Sequence, residues 1–96
     1  MTSNIPFSKV RYYVEANGSK SEVKEVYESF TGWYWFVTDQ YADKEDPQIR
    51  FGLVVGFETE WGYFSMEEIE PLMIKGQIWR VPKSNWFSIS HVQTGE

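Results

Sequence analysis

Phe51, Leu53, Val55 and Phe57 alternate with Gly52, Val54 and Gly56, the period-2 pattern of a β-strand. One face of this strand is large and apolar, and the other is nearly bare backbone around Val54. Glu58 to Gly62 reads as a turn, and Trp61, Tyr63 and Phe64 begin a short return strand. Ser65-Met66-Glu67-Glu68 fits a capping box and predicts a helix over about 66–70, ended by Pro71, which cannot donate a backbone hydrogen bond. Leu72, Met73 and Ile74 are then expected to fold back onto the sheet. Upstream, Trp33 to Thr38 sends Trp33, Trp35 and Val37 one way and Tyr34, Phe36 and Thr38 the other. Both faces are apolar, so this is a central strand covered on both sides. Rings from it lying over Gly52 and Gly56 would account for those glycines.

The flanking segments are less regular. Lys9 to Glu15 is rich in β-branched and aromatic residues and reads as a strand. Asn17-Gly18 suits a tight hairpin, yet Val23, Val26, Tyr27 and Phe30 recur at helical spacing. With Ser19 and Glu22 as a capping box and Gly32 as a terminator, a helix over about 21–30 is expected. A second strand is the competing reading there. Asp39 to Gln48 is a long polar loop, Gln77 to Val81 a strand, Pro82 to Asn85 a turn, and Trp86 to Ile89 a last edge strand. The expected fold class is α+β: a small antiparallel sheet of about five strands, the longer helix at 21–30 and the short one at 66–70. One domain spans 9–90, between a flexible N-terminus (1–8) and a flexible tail (91–96).

Composition changes this picture in two ways. Ninety-six residues without cysteine have neither disulfide nor thiolate metal site, so packing must stabilise the fold. Five Trp, six Tyr and seven Phe exceed what so small a core can hold, which places some rings on the surface. Charge is informative by location. The net charge is −5, and between Arg50 and Lys75 there is no Lys or Arg but five glutamates, Glu58, Glu60, Glu67, Glu68 and Glu70. A one-signed region attracts cationic partners and repels nucleic acid. No apolar run approaches the roughly 20 residues of a membrane span, and Met1 to Pro6 lacks the features of a signal peptide. A soluble, cytoplasmic protein is expected.

Candidate chemistry is sparse. His91 is the only histidine and falls in the expected tail, which argues against zinc and against triad catalysis. Gly52, Gly56 and Gly62 match no phosphate-loop spacing. Glu58 and Glu60 flank a turn, where pairing with Asp39 across the hairpin mouth would create a cation or acid–base site. Trp35, Trp61 and Tyr63 offer a stacking platform whose neighbours are acidic, unlike the basic surroundings that single-stranded nucleic acid requires.

The preferred reading is a small non-enzymatic interaction module that binds a protein through an aromatic–acidic surface: Trp35, Phe57, Glu58, Glu60, Trp61 and Tyr63, with no cofactor and no metal. Two alternatives stand beside it. One is a small ligand- or metal-binding domain or enzyme using Asp39, Glu58 and Glu60. The other is a self-associating homo-oligomer joined through the edge strand near Trp86.

The run Trp33-x-Trp35-x-Val37-Thr38-Asp39, followed by Phe51-Gly52-Leu53-Val54-x-Gly56-Phe57-Glu58-x-Glu60-Trp61-Gly62-Tyr63-Phe64-Ser65 and Glu68, resembles a family of short phage, plasmid and bacterial proteins classed as a domain of unknown function. That family's pattern runs roughly W-x-W-Y-[VI]-T-E, then F-G-L-V-x-G-x-E-x-E-x-G-Y-F-S-L-x-E-[LI]. The resemblance covers about Trp33 to Ile69 and departs beyond Gly76. It implies a mobile-element setting, hence a host or phage protein as partner, and transfers no catalytic residue.

Overall fold

The computed structural model describes residues 10–39 and 44–95. The N-terminal segment 1–8 and most of the tip of the loop after Asp39 lie outside the described residues. Asn17-Gly18 makes the tight hairpin that its composition permits. Both residues take positive φ (54° and 81°), as a two-residue type I′ turn requires. The turn joins β1 (Arg11–Ala16) to β2 (Ser19–Glu22), with Ala16 opposite Ser19.

The segment expected as a helix is therefore strand on both sides of a break: β2, then β3 (Glu25–Ser29). Its apolar residues mimic helical spacing because β3 is covered on both faces. Val26 enters one core and Tyr27 another, so two adjacent apolar positions are both buried. Val23 falls in the break and Phe30 ends up exposed. β-Branched and aromatic residues favour strands, and here that preference prevails.

The strands β4 (Tyr34–Val37), β5 (Ile49–Val55), β6 (Thr59–Ser65) and β7 (Ile78–Arg80) complete a five-stranded sheet of order β6-β5-β4-β3-β7. Every pairing is antiparallel, and β4 is central. A last strand, β8 (Val92–Gly95), pairs with β1 and closes a second sheet of order β2-β1-β8. The segment expected as a flexible tail is thus mostly strand, and the total is eight strands in two sheets rather than about five in one.

Three layers result. Tyr12 and Val14 of β1 meet Val26, Phe36 and Leu53 of the large sheet, together with Val81, Trp86 and Ile89. Burying side chains such as Phe36 (0% exposed) and Leu53 (2%) contributes roughly 1.5–3 kcal/mol each. Trp86 lies in a 3₁₀ turn over Lys83–Ser88, not in an edge strand. Its indole N–H donates to the Val81 carbonyl at 2.9 Å, and its ring meets Tyr12 edge-on. With Trp86 buried, the edge strand proposed for self-association does not exist at that place.

On the other face of the large sheet lies α1 (Met66–Ile74), opened by Ser65, whose Oγ accepts from the Glu67 N–H. Pro71 does not end this helix. At its sixth position the missing donor costs one bond, and the helix runs on to Ile74. Gly76 (φ 75°) then caps it, with N–H donation from Gly76 to the Met73 carbonyl and from Gln77 to the Leu72 carbonyl. Met66, Ile69 and Met73 pack on Tyr27, Trp35, Val37, Phe64 and Ile78. Of the three apolar residues expected against the sheet only Met73 packs there, while Ile74 is 88% exposed. No helix among the described residues is long and apolar enough to cross a membrane.

Candidate functional site

On the large sheet, residues alternate between the two cores, so parity decides which side chains meet. Trp33 and Trp35 share a face with Arg50, Gly52, Val54, Gly56 and Glu60, the face on which α1 lies. The core beneath α1 includes Trp35 and Phe64. Beyond them the face is uncovered, and Trp33, Val54, Phe57, Glu58 and Glu60 line an open cavity of about 300 Å³.

Gly56 makes room for this cavity's wall. A Cβ on Gly56 would stand 2.5 Å from the six-membered ring of Trp33, so the indole lies directly on glycine backbone. Phe57 follows in the β5–β6 turn, where Gly56 N–H donates to the Glu58 carbonyl. Its ring meets Trp33 edge-on, with centroids 5.3 Å apart at 82°, yet remains 95% exposed. Trp35 stands behind Trp33 at 6.0 Å and is held against the helix side of the core.

Glu58 and Glu60 form the acidic rim. The carboxyl of Glu60 is pushed above the usual carboxylate range, first by a hydrogen bond with Glu58 and then by its negative charge. The two side chains are thus close enough to compete for a proton. Among the described residues, none that lines the cavity is basic.

Two of the expected site residues point elsewhere. Trp61 faces the inter-sheet core, stacks on Phe51 at 6.2 Å and donates its indole N–H to the Ala16 carbonyl at 2.9 Å. Tyr63, on that same side, packs edge-on against Phe51 at 5.0 Å and is 60% exposed. Trp61 and Tyr63 sit on the opposite face of β6 from Glu60 because they differ from it by odd numbers of residues. Trp33 and Val54 take their place. Parity with Trp35 and the small Gly56 across from Trp33 are the signals that identify Trp33 in the sequence.

Asp39 is not near the glutamate pair. A bulge at Thr38 and Asp39, both of whose N–H groups donate to the Phe51 carbonyl at 2.9 Å, sets Asp39 at φ 59°. Its carboxylate there receives a two-pronged contact from Arg50, whose Nη2 also reaches Glu25 at 2.8 Å. Glu25 in turn accepts from the Tyr27 hydroxyl at 2.7 Å. Burial alone would raise the Glu25 carboxyl, but its hydrogen bonds from Arg50 and Tyr27 hold it below the ordinary value. The same burial and carboxylate push the Tyr27 phenol up to about 12. This network sits at the Gly52 end of β5, with Glu58 and Glu60 beyond the other end. No three His, Cys, Asp or Glu residues among those described converge on a possible metal position.

The acidic run is also divided. Glu58 and Glu60 lie at one end of β6, whereas Glu67, Glu68 and Glu70 belong to α1, which begins at the other. Six steps along an extended strand separate Glu60 from Met66, about 20 Å. Compared with known proteins, the chain matches no family model, no curated sequence and no solved structure.

Proposed function

We propose that the protein is a non-enzymatic interaction module whose Trp33–Phe57–Glu58–Glu60 cavity takes a lysine or arginine side chain from a basic segment of a partner protein. The single observation carrying this is Phe57, a phenylalanine 95% exposed beside a carboxylate pair. A ring left in water serves no core, and an aromatic face beside carboxylates is the chemistry that attracts an organic cation. Trp33 supplies a second ring edge-on to the first, and the carboxylates supply the opposite charge. On the resemblance alone, the partner would be a host or phage protein.

Proton competition between Glu58 and Glu60 gives the site a pH signature. A protonated Glu60 loses its charge, so capture of a cation strengthens as pH rises through and above the usual carboxylate range. Titration of the ¹⁵N-labelled protein with an arginine-rich peptide tests the reading. The expected result is saturable shifts at the Trp33 indole N–H, Gly56 and Thr59, absent in Phe57→Ala and reduced as the carboxyls protonate in acid. Shifts spread evenly over α1 and the turn, insensitive to Phe57→Ala, would mean only diffuse charge attraction and would end the proposal. The alternative of a cation or acid–base centre built on Asp39, Glu58 and Glu60 lacks the required convergence, since Arg50 already occupies Asp39.

A further inference from the structure

A second cavity, of about 420 Å³, opens on the opposite edge of the molecule and carries the opposite charge. Lys24, Arg80 and Lys83 line it together with Val81, Pro82 and Trp86, and no acidic residue is among them. Three of the nine basic residues of a chain with net charge −5 meet at this one place. The sequence scatters them over sixty positions. The pairing of β7 with β3 assembles them, since Arg80 lies opposite Tyr27 and the Val81 N–H donates to the Val26 carbonyl, bringing Pro82 and Lys83 beside the start of β3.

The floor of this cavity is fixed. Trp86 is 4% exposed, tied to the Val81 carbonyl and braced by Tyr12, and Pro82 holds an extended conformation. Of the cations, Lys24 shares Glu22 with Arg11, at 3.3 Å. The Lys83 ammonium lies 6.0 Å from the centre of the Tyr12 ring. Arg80 forms no ion pair with a described carboxylate: Glu25, which feels its charge, gives its short contacts to Arg50 and Tyr27. A guanidinium with free donors at the mouth of a partly apolar cavity is poised for a planar or tetrahedral oxyanion.

We infer that this cavity binds an organic phosphate: Arg80 and Lys83 hold the phosphoryl group, Lys24 adds charge, and Val81, Pro82 and the edge of Trp86 carry the organic body. A volume of about 420 Å³ greatly exceeds what an inorganic oxyanion fills and falls within the range of small-molecule sites. The apolar lining would be wasted on a bare ion. The site is separate from the aromatic–acidic cavity: the two lie at opposite ends of the strands of the large sheet and share no lining residue.

Titration of the whole protein with inorganic phosphate, ribose 5-phosphate and AMP at low salt, followed by ¹⁵N NMR and calorimetry, tests it. Saturable shifts at Lys24, Arg80 to Lys83 and the Trp86 indole N–H are expected, with at least one organic phosphate binding more tightly than inorganic phosphate. Arg80→Gln and Lys83→Gln should each weaken binding about tenfold, the usual cost of losing one charged hydrogen bond. Lys75→Gln, which removes a cation outside the cavity lining, should leave it unchanged. Equal affinity for inorganic and organic phosphates would overturn the assignment of the apolar lining. No saturable response, or one that survives Arg80→Gln/Lys83→Gln, would overturn the site itself. Both positions are exposed, so an unchanged amide spectrum of each variant without ligand confirms that folding is not what was lost.

Discussion

Gly52 and Gly56 occupy the same face of the same strand region, four residues apart, and each stands beside a group of carboxylates. At the Gly52 end, Asp39 and Glu25 are half-buried and bound to one arginine, with side-chain exposures of 27%, 20% and 18% for Asp39, Glu25 and Arg50. At the Gly56 end, Glu58 and Glu60 form no ion pair with a described cation and lie next to two aromatic rings. The first arrangement satisfies its own charges and so holds the fold together. The second leaves charge and apolar surface exposed, and the proposed capture of a cation rests on that difference. Carboxylate content alone does not distinguish them; the presence of Arg50 does.

The sharpest way to break the comparison is at the glycines. A Cβ at position 52 would lie 1.8 Å from the Phe36 carbonyl oxygen, which is backbone and cannot step aside. Gly52→Ala is therefore expected to cost about 3 kcal/mol or more, at the upper end of overpacking penalties, or to prevent folding. At Gly56 the obstacle is the ring of Trp33, a half-exposed side chain that can swing outward. Gly56→Ala should cost about 1 kcal/mol while changing tryptophan fluorescence and abolishing peptide capture. Urea denaturation of the two variants gives the ranking directly; equal losses would mean that Trp33 is held as rigidly as backbone.

Arg50 comes next. Arg50→Met keeps the aliphatic stem but strands two carboxylates. Their partial exposure places the loss between that of surface and of buried pairs, about 2 kcal/mol. At that size a domain of this length melts about 10 °C lower. The acid side of the stability curve should change too. Because the folded Glu25 carboxyl titrates below its ordinary value of 4.5, it contributes stability above that pH, lost as pH falls through the lower folded value. In Arg50→Met this component of the acid-induced loss should shrink, because only the Tyr27 hydrogen bond and the Arg80 charge then still favour the carboxylate. A smaller effect appears at high pH: Tyr27 and Tyr34 ionise only near pH 12, Tyr27 mainly through burial and Tyr34 mainly through its hydrogen bond to Glu28. Their protonated forms stabilise the fold up to pH 10, and that contribution is lost between pH 10 and about 12. Absorbance titration at the phenolate band should show two late tyrosines, one missing in each of Tyr27→Phe and Tyr34→Phe.

Much of the large sheet was legible because its strands obey parity. The β4–β5–β6 core, the central place of β4 and the ring over Gly56 follow from alternation alone. The reason for Gly52 does not, since it depends on a close approach of the Phe36 carbonyl, backbone against backbone. Residues 21–30 misled because a strand buried on both faces loses its period and leaves apolar positions at i, i+3 and i+4. Trp86 and the 92–95 strand were misplaced for a related reason: short terminal elements are fixed by distant partners, here Tyr12 and β1, rather than by local pattern. At the cavity, Phe57, Glu58 and Glu60 stand out already in the local composition of the chain. Trp61 and Tyr63 are near Glu60 in sequence but stand on the opposite face of β6, a separation that only parity along the strand reveals.

The smallest expected effect on the fold is the most decisive for the comparison. Glu58→Gln/Glu60→Gln removes two charges that form no ion pair among the described residues and relieves their competition for one proton. Stability should therefore hold or rise slightly, the reverse of what Arg50→Met does to the other carboxylate group. Capture of an arginine-rich peptide should fall sharply, and the pH dependence of capture should vanish with the carboxyls that cause it. Thermal melts and peptide titrations of this one variant read both halves together. A marked loss of stability would show that the pair serves the turn, and the two ends of the strand would then differ only in exposure. Unchanged stability with lost capture would establish that one end of the sheet is built to hold the protein and the other to hold a partner.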